Sequence, residues 1–516
     1  MGILLPVTLF VLSILYNFSL IKSPVGVLDE GIILAGAQRV SNGEFPVADF
    51  WDLYPPGQYL VVSALFSVFG ESVLTERLYD IVIRSFLALV VYLSVLHIAS
   101  SYRNALLGWF VVLVCIGSIE FSGYPVYPAL VFAVLCGYYM SRYIESKRLI
   151  YVVSAGACIA ISSVFRHDIG CMFCVTLFVV TLVQLIVNKE RLVSPILCLI
   201  SGAVPIIAMI SLKWTSVADI DSIVNQLVFY PAALMPTYRW LPYPALDSIE
   251  ALPFYSYPLV LVIGIIVSMA AVCRRKLTGK LRYGVLLFSA VGLVFMKVAS
   301  VRSDYVHLVP VIIVAAIVGG LMLSSDVVDY VSAGIVRMKR GYTCGIIVLL
   351  VGPAVFSLVN KFKTLDASYF CLNSYTNRAS FSRLSDDLSS VVMHVKNGCR
   401  ESEYIYVGVT NHDRFMGNET IIYFLSDRRY ATRYHQLVPG FSSLPEIQDE
   451  IIFELESNRP KFAVLSPMFW YEPNLSQVDM GVDTVDDYIH RNYYLCAQYG
   501  RYEVWSRLND CGSDEY

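Results

Sequence analysis

Residues 29–70 read DEGIILAGAQRVSNGEFPVADFWDLYPPGQYLVVSALFSVFG. The stretch opens on two adjacent carboxylates, Asp29 and Glu30, a few residues past an apolar run from Ile3 to Ile21. Two acids at the mouth of a membrane span are costly to place unless water, a cation or a reaction uses them. Beyond the pair, the chain reads as a loop of aromatics, prolines and acids. It closes on a short apolar run, Leu60 to Phe69, which suits an interfacial helix better than a crossing. The pattern points to a membrane protein whose chemistry lies at the lipid–water boundary.

The surrounding chain agrees. Hydrophobic residues make up 56% of it and charged residues 15%, against roughly 25% charged in soluble domains, and the mean hydropathy is +0.61. Apolar runs of about 17 to 20 residues recur over roughly the first 360 positions, the length that crosses a bilayer. The run Ile3–Ile21 lacks a basic leader and a small-residue cleavage site, so it reads as a retained helix. Further spans are expected near Ile81–Ile98, Ala105–Phe121, Val126–Ser141, Leu149–Phe165, Ile169–Val187 and Ser194–Leu212. The rest are near Tyr255–Val272, Tyr283–Ala299, Tyr305–Leu323 and Thr343–Val359. The expected total is about 11 transmembrane helices.

Lys and Arg concentrate in alternate loops: Arg103; Arg142, Lys147 and Arg148; Lys189 and Arg191; Arg274 to Arg282; and Arg337 to Arg340. The positive-inside rule places those loops inside. The first outer loop (about 22–78), the loop from Lys213 to Phe254 and the tail then face outward. Residues 1–360 are expected to form the transmembrane catalytic domain, and residues 361–516 a soluble α/β domain on the outer face. In the tail, Tyr404–Val409 and Phe462–Leu465 read as buried strands and Tyr493–Trp505 as a hairpin broken at Gly500 and Arg501. Glu446–Ser457 and Asp483–Arg491 read as helices. Most of the 12 cysteines lie in apolar spans. Cys371, Cys399, Cys496 and Cys511 fall in the tail, where an oxidising compartment would allow pairing.

With that topology, charged residues gather on the outer face. Asp29 and Glu30 follow the first span, Arg166, His167 and Asp168 sit in one short turn, and Arg302, Asp304 and His307 sit in another. Arg and His at helix ends also snorkel toward lipid phosphates, but outer turns are the disfavoured side for Arg. Acids together with Arg and His suit transfer of a group from a phosphate-linked donor. A carboxylate takes a proton from an attacking hydroxyl, and the guanidinium fork matches phosphate oxygens. There is no Walker-type loop, GxGxxG or H-E-x-x-H. Glu30 either orients Asp29, caps a helix or takes part itself. Asp49 and Asp52 are turn formers or further site residues, and Arg84 is expected to pair with Asp80 at helical spacing.

The order of span, Asp-Glu pair and G-x-x-P-x-x-D-F-W-D-x-x-P-P resembles the polytopic GT-C glycosyltransferases, close to protein O-mannosyltransferases and lipid A aminoarabinose transferases. The likeness runs from Asp29 to about Tyr92 and includes Gly43, Pro46, Asp49, Asp52, Pro55, Pro56, Gly70 and Arg77. The turn Arg302-x-Asp304-x-x-His307 is similar to a late motif of bacterial members. The resemblance implies an inverting transferase using a polyprenyl-phosphate sugar, with a glycan, lipid or protein acceptor and Asp29 as base. It implies a multi-pass protein of a bacterial inner membrane with a periplasmic site, and membrane lipid as a partner. Relatives often carry Lys before the proline pair, where this chain has Tyr54. Phosphate binding then falls to Arg77, Arg166, Arg302 or His307. The acids leave room for a divalent metal ion but define no cofactor, and no nucleic-acid partner is expected. The competing reading is a transporter or flippase of a lipid-linked or anionic substrate, which would show broken or polar mid-span positions and repeat symmetry.

Overall fold

The computed structural model describes residues 3–19, 21–120, 123–187, 193–274, 277, 279–332, 335–364, 378–379, 384–467 and 470–507. Lys189, Arg191, Arg275, Lys276, Cys371 and Cys511 lie outside these residues. The chain is a polytopic helical membrane protein carrying a small C-terminal α/β unit. Helices are numbered in chain order: α1 (Leu4–Phe18), α2 (Asp29–Ser41), α3 (Gly57–Phe69), α4 (Val73–Ala99), α5 (Tyr102–Ile116), α6 (Val126–Ser146), α7 (Ile150–Phe165), α8 (His167–Val187) and α9 (Val193–Thr215). Then come α10 (Ile220–Val224), α11 (Tyr230–Tyr238), α12 (Leu252–Arg274), α13 (Gly279–Val301), α14 (Tyr305–Met322), α15 (Ser325–Ser332) and α16 (Val336–Thr364).

Each span expected from the sequence falls on a helix. Among the described residues, seven helices are long and apolar enough to cross a membrane, while α1, α5 and α7 are apolar but shorter. The most apolar stretch of α14 is 83% buried and that of α9 only 11%, so α14 is the centre of the bundle and α9 its lipid-facing flank. The expected Arg84–Asp80 pair is present at 2.7 Å. Arg84 also donates to the Ile116 and Ile119 carbonyls and lies over the Tyr127 ring. One cation thus ties α4 to the end of α5 and to α6.

Two ends of the bundle can be told apart. Lys280, at the start of α13, pairs with Glu145 at the end of α6, at 2.8 Å. Arg302, just past the other end of α13, contacts the tail. With a rise of 1.5 Å per residue, these ends are about 35 Å apart, a little more than a hydrocarbon core. Lys280 and the end of α6 therefore sit at the end of the bundle away from the tail.

The first outer loop corrects one expectation. Asp29 and Glu30 do not sit in irregular loop but begin α2, and α3 follows after residues 42–56. Periodicity conceals α2 because it is buried along most of its length, Glu30 to Arg39. Small residues permit this: a Cβ at Gly31 would come within 2.5 Å of the Ile421 backbone nitrogen.

The tail holds α17 (Asp386–Gly398), α18 (Ile421–Ser426), α19 (Pro445–Asn458) and α20 (Thr484–Asn492) around a five-stranded sheet of order β2-β1-β3-β5-β4. Its strands are β1 (Tyr404–Val409), β2 (Arg429–Tyr430), β3 (Phe462–Ser466), β4 (Tyr494–Tyr499) and β5 (Tyr502–Ser506). β1 is parallel to β2 and β3, with Val407 opposite Val464, while β5 is antiparallel to β3 and β4. The hairpin turns at Gly500 (φ +55°), where a Cβ would strike the Asp387 carboxylate at 2.0 Å. The expected strands, helices and hairpin are all found; α17, α18 and the short β2 are additions.

The tail shares its core with the first outer loop. Ile33, Leu34, Tyr59 and Phe66 pack into one cluster with Leu388, Val391, Ile421 and Phe424. A second cluster joins Trp51, Leu53 and Leu234 to Tyr406, Phe441 and Leu465, with Trp51 stacked on Phe441 at 4.3 Å. Each such side chain stabilises the junction by about 1.5–3 kcal/mol. That packing brings the tail against the end of the bundle where Asp29, Arg302 and His307 lie.

Candidate active site

The site begins with how α2 is started. Glu30, in its first turn, accepts the Gly26 N–H at 2.7 Å. Its carboxylate also takes a two-point contact from Arg77, at 2.7 and 2.9 Å. Arg77 donates further to the carbonyls of Ile21, Ser23 and Pro24. A buried Glu–Arg pair thus staples the exit of α1 to the entry of α2. Glu30 and Arg77 are held by each other.

Asp29, one residue earlier, points elsewhere. It lines a cavity of ≈150 Å³ together with Tyr54, Tyr124, Arg239, Arg302, Asp304 and His307. Met416 and Gln436 to Pro439, from the tail, form another wall. Neither Glu30 nor Arg77 lines it. Among the described residues, no hydrogen-bond or ion-pair partner engages the Asp29 carboxylate. The side chain is open to the cavity, yet the protein enclosing it desolvates the carboxylate and raises its pKa; the positive charges of Arg239, His307 and Arg302 pull it down, and Asp304 pushes it up, with a net upward direction. The helix N-terminus favours its anion.

The basic side of the cavity comes from two segments. Asp304 caps α14: its Oδ1 accepts the His307 N–H at 2.9 Å and meets His307 Nδ1 at 2.7 Å, leaving Nε2 as the ring nitrogen Asp304 does not engage. Burial works against the Asp304 anion, but His307 and Arg302 hold its pKa below the ordinary value. Arg302 Nε lies 3.0 Å from Asp304, and its outer nitrogens meet Glu472 of the tail at 2.8 and 3.0 Å. Arg239 follows α11, and its guanidinium donates to the Met416 carbonyl at 2.8 Å. Among the described residues no carboxylate pairs with Arg239. Burial and the Arg302 charge lower its pKa, against the pull of Asp29 and Glu472.

The remaining sequence candidates stand behind this wall. Arg166 forks onto Asp168 at 2.9 and 2.6 Å and lies over the rings of Tyr54 and Tyr124, so it supports two cavity residues without lining the cavity. His167, beside them, has a buried Nδ1 without a partner. Asp49 closes a turn by accepting the Phe45 N–H at 2.7 Å. Asp52, fully buried, accepts from the Tyr59 hydroxyl at 2.6 Å and the Tyr54 N–H at 2.9 Å. It therefore fixes the backbone that presents Tyr54. Burial pushes its pKa up to about 7 despite those bonds. Among the described residues, no three His, Cys, Asp or Glu side chains group as metal ligands.

Sequence reading missed Arg239, Tyr124, Gln436 and Glu472. Arg239 carried a signal, since it is an Arg in a loop read from the sequence as outer and poor in basic residues, the same criterion that singles out Arg166 and Arg302. The tail residues carried none.

No protein-family model matches the chain, and no curated protein matches it in sequence. Among solved structures that share its fold are two of one protein. The crystal structure of ArnT from Cupriavidus metallidurans bound to undecaprenyl phosphate aligns with a TM-score of 0.54 at 15% identity, covering 98% of each chain. The same protein in the apo state aligns with a TM-score of 0.55 at 15% identity, covering 97% of this chain and 98% of that one. The likeness spans bundle and tail together, so the chain shares the fold of that protein along nearly its whole length.

Proposed function

With the fold of ArnT as premise, we propose that this chain is an integral-membrane glycosyltransferase. It moves a sugar from polyprenyl phosphate to a hydroxyl of a lipid, glycan or protein acceptor on the outer face. The observation that carries the reading is the Asp29 carboxylate, unpartnered in a cavity whose positive charge comes from Arg239, Arg302 and His307. Burial raises the proton affinity of a base, and nearby cations suit a phosphate that gains charge as it leaves.

The acceptor oxygen attacks the anomeric carbon and its proton passes to Asp29. The carbon–oxygen bond to phosphate breaks, with its electron pair going to the phosphate, and the configuration inverts. Arg239 is the cation best placed to receive that phosphate, since Glu472 and Asp304 already occupy the fork of Arg302. His307 supplies a second donor, and Glu30 with Arg77 holds the start of α2 so that Asp29 keeps its aim.

The test is transfer of radiolabel from polyprenyl-phosphate sugars by the detergent-purified protein, lost in Asp29→Asn. Failure of a full panel of sugar donors to label any envelope acceptor would overturn the reading.

A further inference from the structure

The tail wall of the cavity contains a polar group that the proposed transfer leaves unused. Gln436 lines the cavity and is only 9% exposed, and its Oε1 is buried with no hydrogen-bond partner. Buried amide oxygens are almost always paired, so an orphan in a cavity wall needs a reason.

Its setting is rigid. Asn418, fully buried, brackets it: the Asn418 amide donates to the His435 carbonyl at 2.8 Å and accepts from the Leu437 N–H at 2.9 Å. The same Asn418 nitrogen donates to the Val407 carbonyl of β1 at 2.8 Å. The neighbouring His435 ring is fully buried and packs edge-on against Phe50 and Tyr430, at 5.2 and 6.1 Å. The backbone that presents Gln436 is therefore held on both sides. A framework that fixes an unsatisfied acceptor is the arrangement of a preformed binding group.

We propose that Gln436 reads a hydroxyl of the sugar carried by the donor, so that the tail sets sugar specificity; this rests on the glycosyltransferase function already proposed. Three observations select that ligand. An amide oxygen accepts from O–H and is repelled by phosphate oxygens, so its match is a neutral hydroxyl. Arg239, the phosphate cation, is fastened to the Met416 carbonyl, two residues before the Asn418 that frames Gln436. The orphan acceptor and the phosphate cation thus hang from one short tail segment, as a sugar hydroxyl and its phosphate would require. The cavity of ≈150 Å³ has the volume of roughly five waters at about 30 Å³ each, room for one small polar ring.

The experiment compares binding of undecaprenyl phosphate and of a panel of pentosyl and hexosyl undecaprenyl phosphates. It uses the full-length protein in detergent as wild type, Gln436→Met and Gln436→Glu. Wild type should prefer at least one glycosylated lipid over the bare lipid by about tenfold or more. Gln436→Met keeps the volume but has no amide oxygen. It should lose about tenfold of that preference with bare-lipid affinity unchanged and an unfolding temperature equal to or above wild type. Gln436→Glu, which keeps an acceptor, should retain more of the preference than Met. A preference unchanged in Gln436→Met overturns the inference and leaves the proposed function standing, even if acceptor kinetics move. A wild type that binds bare lipid but prefers no sugar also overturns it. A wild type that binds no member of the panel, bare lipid included, overturns the proposed function with it.

Discussion

Arg302 and Glu472 meet fork to fork, with Nη2 2.8 Å from Oε1 and Nη1 3.0 Å from Oε2. The pair joins the turn before α14 to the tail. Glu472 also accepts from Trp470 Nε1 at 3.1 Å and from Asn474 Nδ2 at 2.9 Å, and Arg302 donates to the Arg239 carbonyl at 2.9 Å. A carboxylate thus occupies the two-point geometry a phosphate would take. Arg302 acts as a joint between tail and bundle, and it braces the backbone of Arg239 from behind.

Glu472→Gln should loosen that joint. Its side chain is 5% exposed and that of Arg302 15%, so breaking the pair should cost about 2 kcal/mol, below the value for fully buried pairs. Burial opposes the Glu472 anion, but Arg302, Trp470 and Asn474 hold its pKa below the ordinary 4.5. Its contribution is therefore fully present above pH 4.5 and lost as pH falls through the folded value. Thermal unfolding in detergent should show a lower midpoint for Glu472→Gln at neutral pH. The gap from wild type should narrow in acid, and a constant gap across that range would refute the linkage.

Arg239 should carry the donor phosphate. Arg239→Ala should weaken binding of undecaprenyl phosphate by about 10- to 100-fold, the scale of losing charge-assisted hydrogen bonds. Arg239→Lys keeps the charge but not the fork, and should recover only part of the loss. Affinity equal to wild type in both variants would move the phosphate to another cation.

Legibility depended on whether neighbours in sequence or neighbours in space decided each feature. The strand Tyr404–Val409 is a continuous apolar run, so its burial is written in its own residues. The turns at Arg166 and Arg302 stood out because Arg is disfavoured on the side to which the pattern of basic loops assigns them. The helix α2 was hidden because it is walled by other segments. Gly36 is small because the Tyr59 ring would lie 2.5 Å from its Cβ, and Gly31 because Ile421 of the tail presses on it. Neither reason appears in a local window. Glu472 and Gln436 lie in a tail of ordinary soluble patterning, and only the shared core that docks it brings them to the cavity.

Asp52 should impose a pH dependence on stability unrelated to chemistry. It is buried against Tyr59, with its carboxylate 3.8 Å from His435, whose charged form burial disfavours, and its pKa rises to about 7. Because the folded value lies above the unfolded one, the stabilisation from its protonated form is present at low pH and fades as pH rises through about 7. The wild-type unfolding midpoint should fall progressively between the unfolded value of 3.8 and about 7, and level off above it. Asp52→Asn should flatten that slope, and an equal slope in the variant would assign it to another group.

Asp29 should be the base, and its signature separates chemistry from structure. Asp29→Asn keeps the side-chain volume but cannot take a proton, so transfer should fall roughly 10²- to 10⁴-fold while undecaprenyl phosphate binding survives. Burial raises the Asp29 pKa, so the acid limb of the wild-type rate profile should lie above the ordinary Asp range. The same shift gives a sign for stability. Protonation favours the fold, so stability from Asp29 is present below the unfolded value of 3.8 and lost as pH rises through the folded one. Because the ionised form is the one the surroundings disfavour, Asp29→Asn should unfold at or above the wild-type temperature. Glu30→Gln should behave in the opposite way, because it cuts the buried pair with Arg77 and should lower stability more than any step of chemistry. An Asp29→Asn protein that is both destabilised and active would reverse the roles of these two neighbouring acids.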